Sequence, residues 1–363
     1  MSDVQLALLI LGLVIIFIMI IHNWAQLKKN NKKQIRLPQQ ENNFIHDDEN
    51  DPLFFSNSNP AFTSASDQLV QDDQKITEEN QAVSEKFINT NLPEGIYRDI
   101  ESVASITTKS IFEGTHHLRL IRLSTIKGAK IYVKKDNDLW ATDRAIDDSI
   151  KYNQILLVLL LANRKGSLSE DEAAIFNQYV KEVNELVGGS ILWLSHPDIV
   201  SASKILNDFR QEVDRSLVLK VFPKANSSFH SGPLIDFLNK PIFRINDDLF
   251  HELILPNSDN KVTCRLLNLS EKPIVVKHDT FLQGIIFKMD VPNTFMITNS
   301  FNELMNVIRE FNLKLNAILV DSSNKQLTDD QISRIYVYLK NIEKKMHDEK
   351  IPPGSKIAKR LFS

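Results

Sequence analysis

The sequence predicts an α+β protein: an N-terminal single transmembrane helix, a flexible linker, then two tandem modules of antiparallel β-sheet with helices packed on one face. Three observations carry this reading. One long apolar run lies near the N terminus, an acidic stretch poor in apolar residues follows it, and beyond Pro93 a strand and helix pattern occurs twice in the same order.

From Leu6 to Ile21 every residue is apolar or glycine, and Trp24 follows at an interfacial position. At 1.5 Å per residue, residues 4–24 reach about 30 Å, the thickness of a hydrocarbon core. A cleaved signal peptide would place basic residues before the run and small residues after it; here Asp3 precedes it and His22-Asn23-Trp24 follows. Residues 1–27 are therefore expected to be an uncleaved anchor in the lipid bilayer. Lys28, Lys29, Lys32, Lys33 and Arg36 all lie after the run, so the positive-inside rule leaves the N terminus outside and the modules in the cytoplasm.

The formal net charge of −3 is the sum of unlike regions. Residues 1–37 carry +4, residues 38–92 carry eleven acids against Lys75 and Lys86, and the remainder is +2. No basic surface suited to nucleic acid follows from that distribution. Residues 28–92, a basic stop and then an acidic segment rich in Asn, Gln and Ser, cannot bury enough apolar surface to offset the entropy of ordering. They read as a disordered tether of about 40 Å reach. Its apolar spots, Leu53-Phe54-Phe55 and Phe62, read as incidental, and Asp47, Asp48, Glu49 and Asp51 as a solvated acidic run.

In the first module, 93–215, strands are expected at Asp99–Thr107, Leu118–Leu123, Lys130–Lys134 and Gln154–Ala162. Ser167 or Ser169 then caps a helix whose first turn holds Glu170, Asp171 and Glu172, where the helix dipole favours them. Gly188-Gly189 ends that helix near Val187. A strand at Ser190–Leu194 and a helix opening at His196-Pro197-Asp198 and running to Val213 complete the module.

The second module, 216–347, repeats the order. Strands are expected at Leu217–Phe222, Leu249–Leu255, Val262–Leu269, Gly284–Val291 and Ala317–Val320, with a short helix at Pro233–Asn239. Phe301, Leu304, Met305, Ile308 and Phe311 recur at helical spacing within Asn299–Leu313. Thr328-Asp329-Asp330-Gln331 forms a capping box for a last helix to about Met346. The similarity of the halves is one of pattern and reads as a tandem duplication. Residues 348–363 are left as a C-terminal tail.

Catalytic signatures are sparse. Ten glycines form no phosphate-cradling loop, so no nucleotide cofactor or small-molecule substrate is expected. The single cysteine, Cys264, excludes an internal disulfide and a thiolate cluster and reads as a small core residue. His116-His117 lacks partners at ligand spacing and reads as a solvated pair; no metal site is expected. His251 reads as a satisfied or surface strand residue, and His278-Asp279 has no serine or cysteine motif beside it. An enzyme is not expected.

The stretch LVLKVFPKANSSFHSGPLIDFL, followed by DDLFHELI, RLLNL, GIIFKMDVP, AILVD and QLTDDQISRIYVYLKNI, resembles in order and spacing the C-terminal domain of the ZipA family of cell division proteins. The likeness covers residues 216–347 and extends to the anchor-and-tether layout. It implies a bacterial inner-membrane protein of the division septum that binds the C-terminal peptide of FtsZ in an apolar groove on the sheet and tethers the Z ring to the membrane. Carried across residue by residue, the groove falls at Val221, Leu249, Leu269 and Lys288. Lys288 departs from the family, which carries an aromatic there; so does the tether, which is shorter and more acidic. The first module has no counterpart in that family. The alternative reading is a membrane-anchored adaptor of the same fold for a different cytoplasmic partner.

Overall fold

The computed structural model describes residues 54–56, 92–113, 128–135, 139–142, 151–224, 228–254, 261–276, 281–321 and 324–363. The apolar run Leu6–Ile21, His116-His117, His278-Asp279 and the strand expected at Leu118–Leu123 lie outside them. No helix among the described residues is long and apolar enough to cross a membrane. The α+β class is borne out, with antiparallel sheets and helices on one face of each.

A short strand, β1 (Phe54–Ser56), comes first. The first sheet is built from β2 (Glu101–Glu113), β3 (Lys130–Lys135), β4 (Trp140–Thr142) and β5 (Lys151–Leu160). A tight hairpin of β6 (Ala162–Asn163) and β7 (Gly166–Ser167) follows, then α1 (Glu170–Val187), β8 (Gly189–Ser195) and α2 (Ile199–Val213). Ser169 makes the full capping box with Glu172, and Gly188 ends α1 in the left-handed region at φ 57°, which a glycine adopts without a Cβ clash.

The second sheet opens with β9 (Arg215–Pro223), followed by β10 (Phe229–His230) and α3 (Ser231–Leu238). Strands β11 (Phe243–Ile245), β12 (His251–Ile254), β13 (Val262–Asn268), β14 (Phe281–Leu282) and β15 (Ile285–Asp290) come next. Helix α4 (Ile297–Lys314), β16 (Ala317–Val320), α5 (Asp329–Asp348) and α6 (Lys356–Leu361) end the chain. Thr328 and Gln331 form the expected capping box on α5.

The two sheets share their central wiring. In each, the first strand is flanked by the last strand before the long helix and by the strand after it: β5-β2-β8 in one, β15-β9-β16 in the other. They differ outward, where the first continues through β3 to β4 and the second through β13 and β12 to β11. Helical side chains from both modules, Phe176 and Leu206 among them in the first and Leu304 and Phe311 in the second, belong to one continuous apolar core.

Ion pairs stitch the halves together. Arg164, on the β6–β7 hairpin, reaches Asp214 at 2.9 Å and Asp290 at 2.7 Å. Asp214, fully buried at the end of α2, also holds the buried Arg210 at 3.2 Å. Arg360 of α6 donates to the buried Glu101 at 3.1 Å, whose other oxygen accepts from the Tyr97 amide. Residues 348–363 thus fold back on the first module, with Ile357, Leu361 and Phe362 in the core.

The tether requires a correction at one place. Phe54–Ser56, expected to be disordered, pairs antiparallel with Leu217–Arg215 of β9. An unpaired strand edge is a template for any extended segment. Strand β16 covers only Lys220–Pro223 of that edge, so the first residues of β9 are left to β1.

Candidate functional site

Period-two alternation divides the second sheet into two faces. Leu217, Leu219 and Val221 of β9, Leu266 of β13, and Ile285, Phe287 and Met289 of β15 point to the helices and the core. Val218, Leu267 and Ile286 point the other way and form a separate cluster, against which Phe250 packs. That cluster includes no helical residue.

The register builds this outer face in rows. Arg244, Glu252, Arg265, Lys288 and Val218 are successive partners across β11, β12, β13, β15 and β9. Leu267, Ile286 and Lys220 form the next row. Beyond it, Gly284 sits between Leu269 and Phe222: a Cβ there would stand 3.0 Å from the Leu269 Cδ2 and 3.1 Å from the Phe222 Cε1. The absence of a side chain at Gly284 lets Leu269 and Phe222 approach over the strand.

The face is therefore apolar at one end and charged at the other. Val218, Leu267 and Ile286 are only 8%, 4% and 3% exposed, a floor set among longer side chains. Glu252 is buried and accepts from Arg244 at 3.1 Å, Arg265 at 3.3 Å and the Asn246 amide group at 2.9 Å. The Arg265 guanidinium lies 5.8 Å from the Phe250 ring, a cation over an aromatic face. Lys288 donates to Glu271 at 2.8 Å.

Of the four expected groove residues, two lie on this face. Lys288 does, with Phe287 and Met289 turned to the core as alternation requires. Leu269, 38% exposed, edges the apolar end. Val221 does not: it is fully buried on the helix side, because it shares the parity of Leu217 and Leu219. Leu249 lies in the turn before β12 at φ 66°, 63% exposed, its amide bonded to the Asn246 carbonyl. Val218, Phe222, Leu267, Ile286 and Phe250 also belong to this face and are not among the expected residues. A signal for the strand positions was present: Lys220 and Lys288 mark the solvent side of β9 and β15, so Val218, Phe222 and Ile286 must share it.

Cys264 and His251 are the other candidates among the described residues. Cys264 is buried and its thiol is pushed well above its usual range by burial. His251 is neither satisfied nor on the surface: its Nδ1 is buried without a partner, and burial lowers its basicity. Among the described residues no three His, Cys, Asp or Glu side chains are grouped to hold a metal ion.

Residues 215–337 match the family model of ZipA, C-terminal FtsZ-binding domain. The match falls on the second module, the part of the chain whose strand and helix motifs resemble that family. No curated protein matches the chain.

Proposed function

We infer that the chain is a cell division adaptor whose second module takes the C-terminal peptide of FtsZ on the outer face of its sheet, while residues 4–24 fix it in the cytoplasmic membrane. The observation that carries this reading is the apolar floor of Val218, Leu267 and Ile286 with Phe250, on a sheet face that the helices leave alone, inside a domain of an FtsZ-binding family. A peptide helix presenting apolar side chains at i, i+3 or i+4 and i+7 suits such a surface. Its apolar anchors would lie across Ile286 and Phe222, with Leu269 at the rim; Lys288 and Arg265 face acidic positions at the other end.

No group transfer is involved, and the reading needs neither cofactor nor metal. The tether lets the module search near the membrane and raises its local concentration at the septum. Binding of a labelled FtsZ C-terminal peptide to the full chain in nanodiscs tests the reading. Saturable binding lost in Phe250→Ala supports it, and no detectable binding at ~100 μM peptide, the weak end of specific recognition, overturns it. In the second reading the same face serves another cytoplasmic partner. Lys288, standing where the family carries an aromatic, favours a more acidic ligand, and a membrane pull-down that recovers a partner other than FtsZ would select it.

A further inference from the structure

Where the two modules meet there is a cleft of about 490 Å³, and none of its lining residues belongs to the outer face of either sheet. One wall is α2. Asp198, Ala202, Ile205 and Phe209 recur at spacings of three or four, so they share one side of that helix. The other wall is the C-terminal end of α5 and the residues after it, Asp348 to Ile351. An ion pair between Glu212 and Lys345 ties the two helices together.

The floor of the cleft is apolar, with Leu206 and Ile351 buried and Phe209 half-buried. Ile205 is 69% exposed, a large aliphatic side chain left in water at the lip. The lining is also acidic: Asp99, Asp198, Asp348 and Glu349 stand against Lys350 and the His196 imidazole. Asp198 is occupied as the N-cap of α2, where it accepts from the Ser201 amide at 3.1 Å. Asp99, Asp348 and Glu349 are exposed and have no side-chain partner among the described residues. They are not grouped to hold a metal ion, so they form a rim and not a cage. The end of α5 adds the negative pole of its dipole to the same wall.

The structure assigns this cleft to a basic amphipathic helix of a partner protein, with its apolar side chains over Ile205 and Phe209 and its lysines or arginines against Asp99, Asp348 and Glu349. Charge complementarity chooses that occupant. An anionic lipid surface or an acidic segment meets three unpaired carboxylates here, and a neutral apolar helix leaves all three unmatched. A purely polar polycation leaves Ile205 in water. A groove walled by one side of a helix takes a second helix, whose anchors then fall at i, i+3 or i+4 and i+7. The cleft is separate from the face proposed for the FtsZ peptide, so occupation of one leaves the other open.

The test is fluorescence anisotropy of a helical leucine–lysine peptide, its leucines at i, i+3, i+4 and i+7, titrated with the full chain in phosphatidylcholine nanodiscs against empty discs. Saturable binding is expected. Ile205→Lys, at an exposed position, should weaken it at least 10-fold without moving the melting temperature. Asp348→Asn with Glu349→Gln should weaken it about 5-fold, and that difference should shrink at ~0.5 M salt, where the screening length falls to a few ångström. FtsZ-peptide binding should be the same in all of these variants, so this proposal and the reading of the sheet face fail separately. No saturable binding at ~100 μM peptide, an unchanged affinity in Ile205→Lys, or equal binding of a peptide of the same composition with its leucines scattered would each overturn it. Self-association that is lost in Ile205→Lys would assign the cleft to a second copy, and tighter binding after Lys28, Lys29, Lys32 and Lys33 are replaced by serine would assign it to the chain's own basic segment; either contradicts the proposal.

Discussion

The outer faces of the two sheets have the same origin in strand alternation and different packing. In the first, Val103, Tyr132, Leu156 and Val158 form a cluster over which Leu92, Ile96, Trp140 and Leu194 pack. In the second, Val218, Leu267 and Ile286 have Phe250 alone packed against them among the described residues. The central wiring is common, so among the described residues the difference is made by the segments around the sheets: Leu92 and Ile96 from the chain before β2 pack on one outer cluster, and Phe250 packs on the other.

The largest effect should come where the two modules depend on each other. Asp214→Ala leaves Arg210 buried without its carboxylate and takes one partner from Arg164, so we expect a loss of about 3–5 kcal/mol in denaturant unfolding. A single transition shifted as a whole would show one cooperative unit; two separated transitions would show modules that fold independently. The faces themselves are separated by a matched pair. Phe250→Ala should weaken peptide binding by about 2 kcal/mol, roughly 30-fold, as for a central aromatic anchor. Trp140→Ala, on the outer cluster of the first sheet, should lower the melting temperature and leave peptide affinity unchanged. If both variants lower affinity equally, the contrast between the faces fails.

Lys288→Phe tests the departure from the family. It gives up an exposed pair with Glu271, worth little, and supplies an aromatic on the outer face of the second sheet. Peptide affinity measured by titration calorimetry should rise by about 1 kcal/mol; a fall would assign Lys288 to an acidic residue of the ligand. The smallest effect concerns His251. Burial lowers its folded pKa below 6.5, so the unfolded chain takes up the proton first. Its stability contribution is full above pH 6.5 and is lost as pH falls through the folded value. His251→Gln should flatten the fall in melting temperature between pH 6.5 and 5.

Much of the fold is legible in the chain. The capping boxes at Ser169 and Thr328, the stop at Gly188 and the helical spacing of Phe301 to Phe311 are local signals, set by neighbours within a few residues, and the structure follows them. The candidate site was half legible. Lys288 and Leu269 lie on or beside the outer face, whereas Val221 shares the parity of Leu217 and Leu219 and lies under the helices, and Leu249 sits in the turn before β12. A one-residue shift in a strand exchanges the core for solvent.

By itself the sequence determined the α+β class, the order of most strands and helices and the family likeness of residues 216–347, because periodicity and capping act over a few residues along the chain. Only the tertiary structure decided that Phe54–Ser56 joins the edge of β9, that α6 returns to Glu101, that Arg164 gathers Asp214 and Asp290, and which side chains pack on the outer cluster of each sheet. Each of these joins residues far apart in the chain, and a partner across such a distance is chosen by which edge, charge or apolar surface packing leaves unsatisfied.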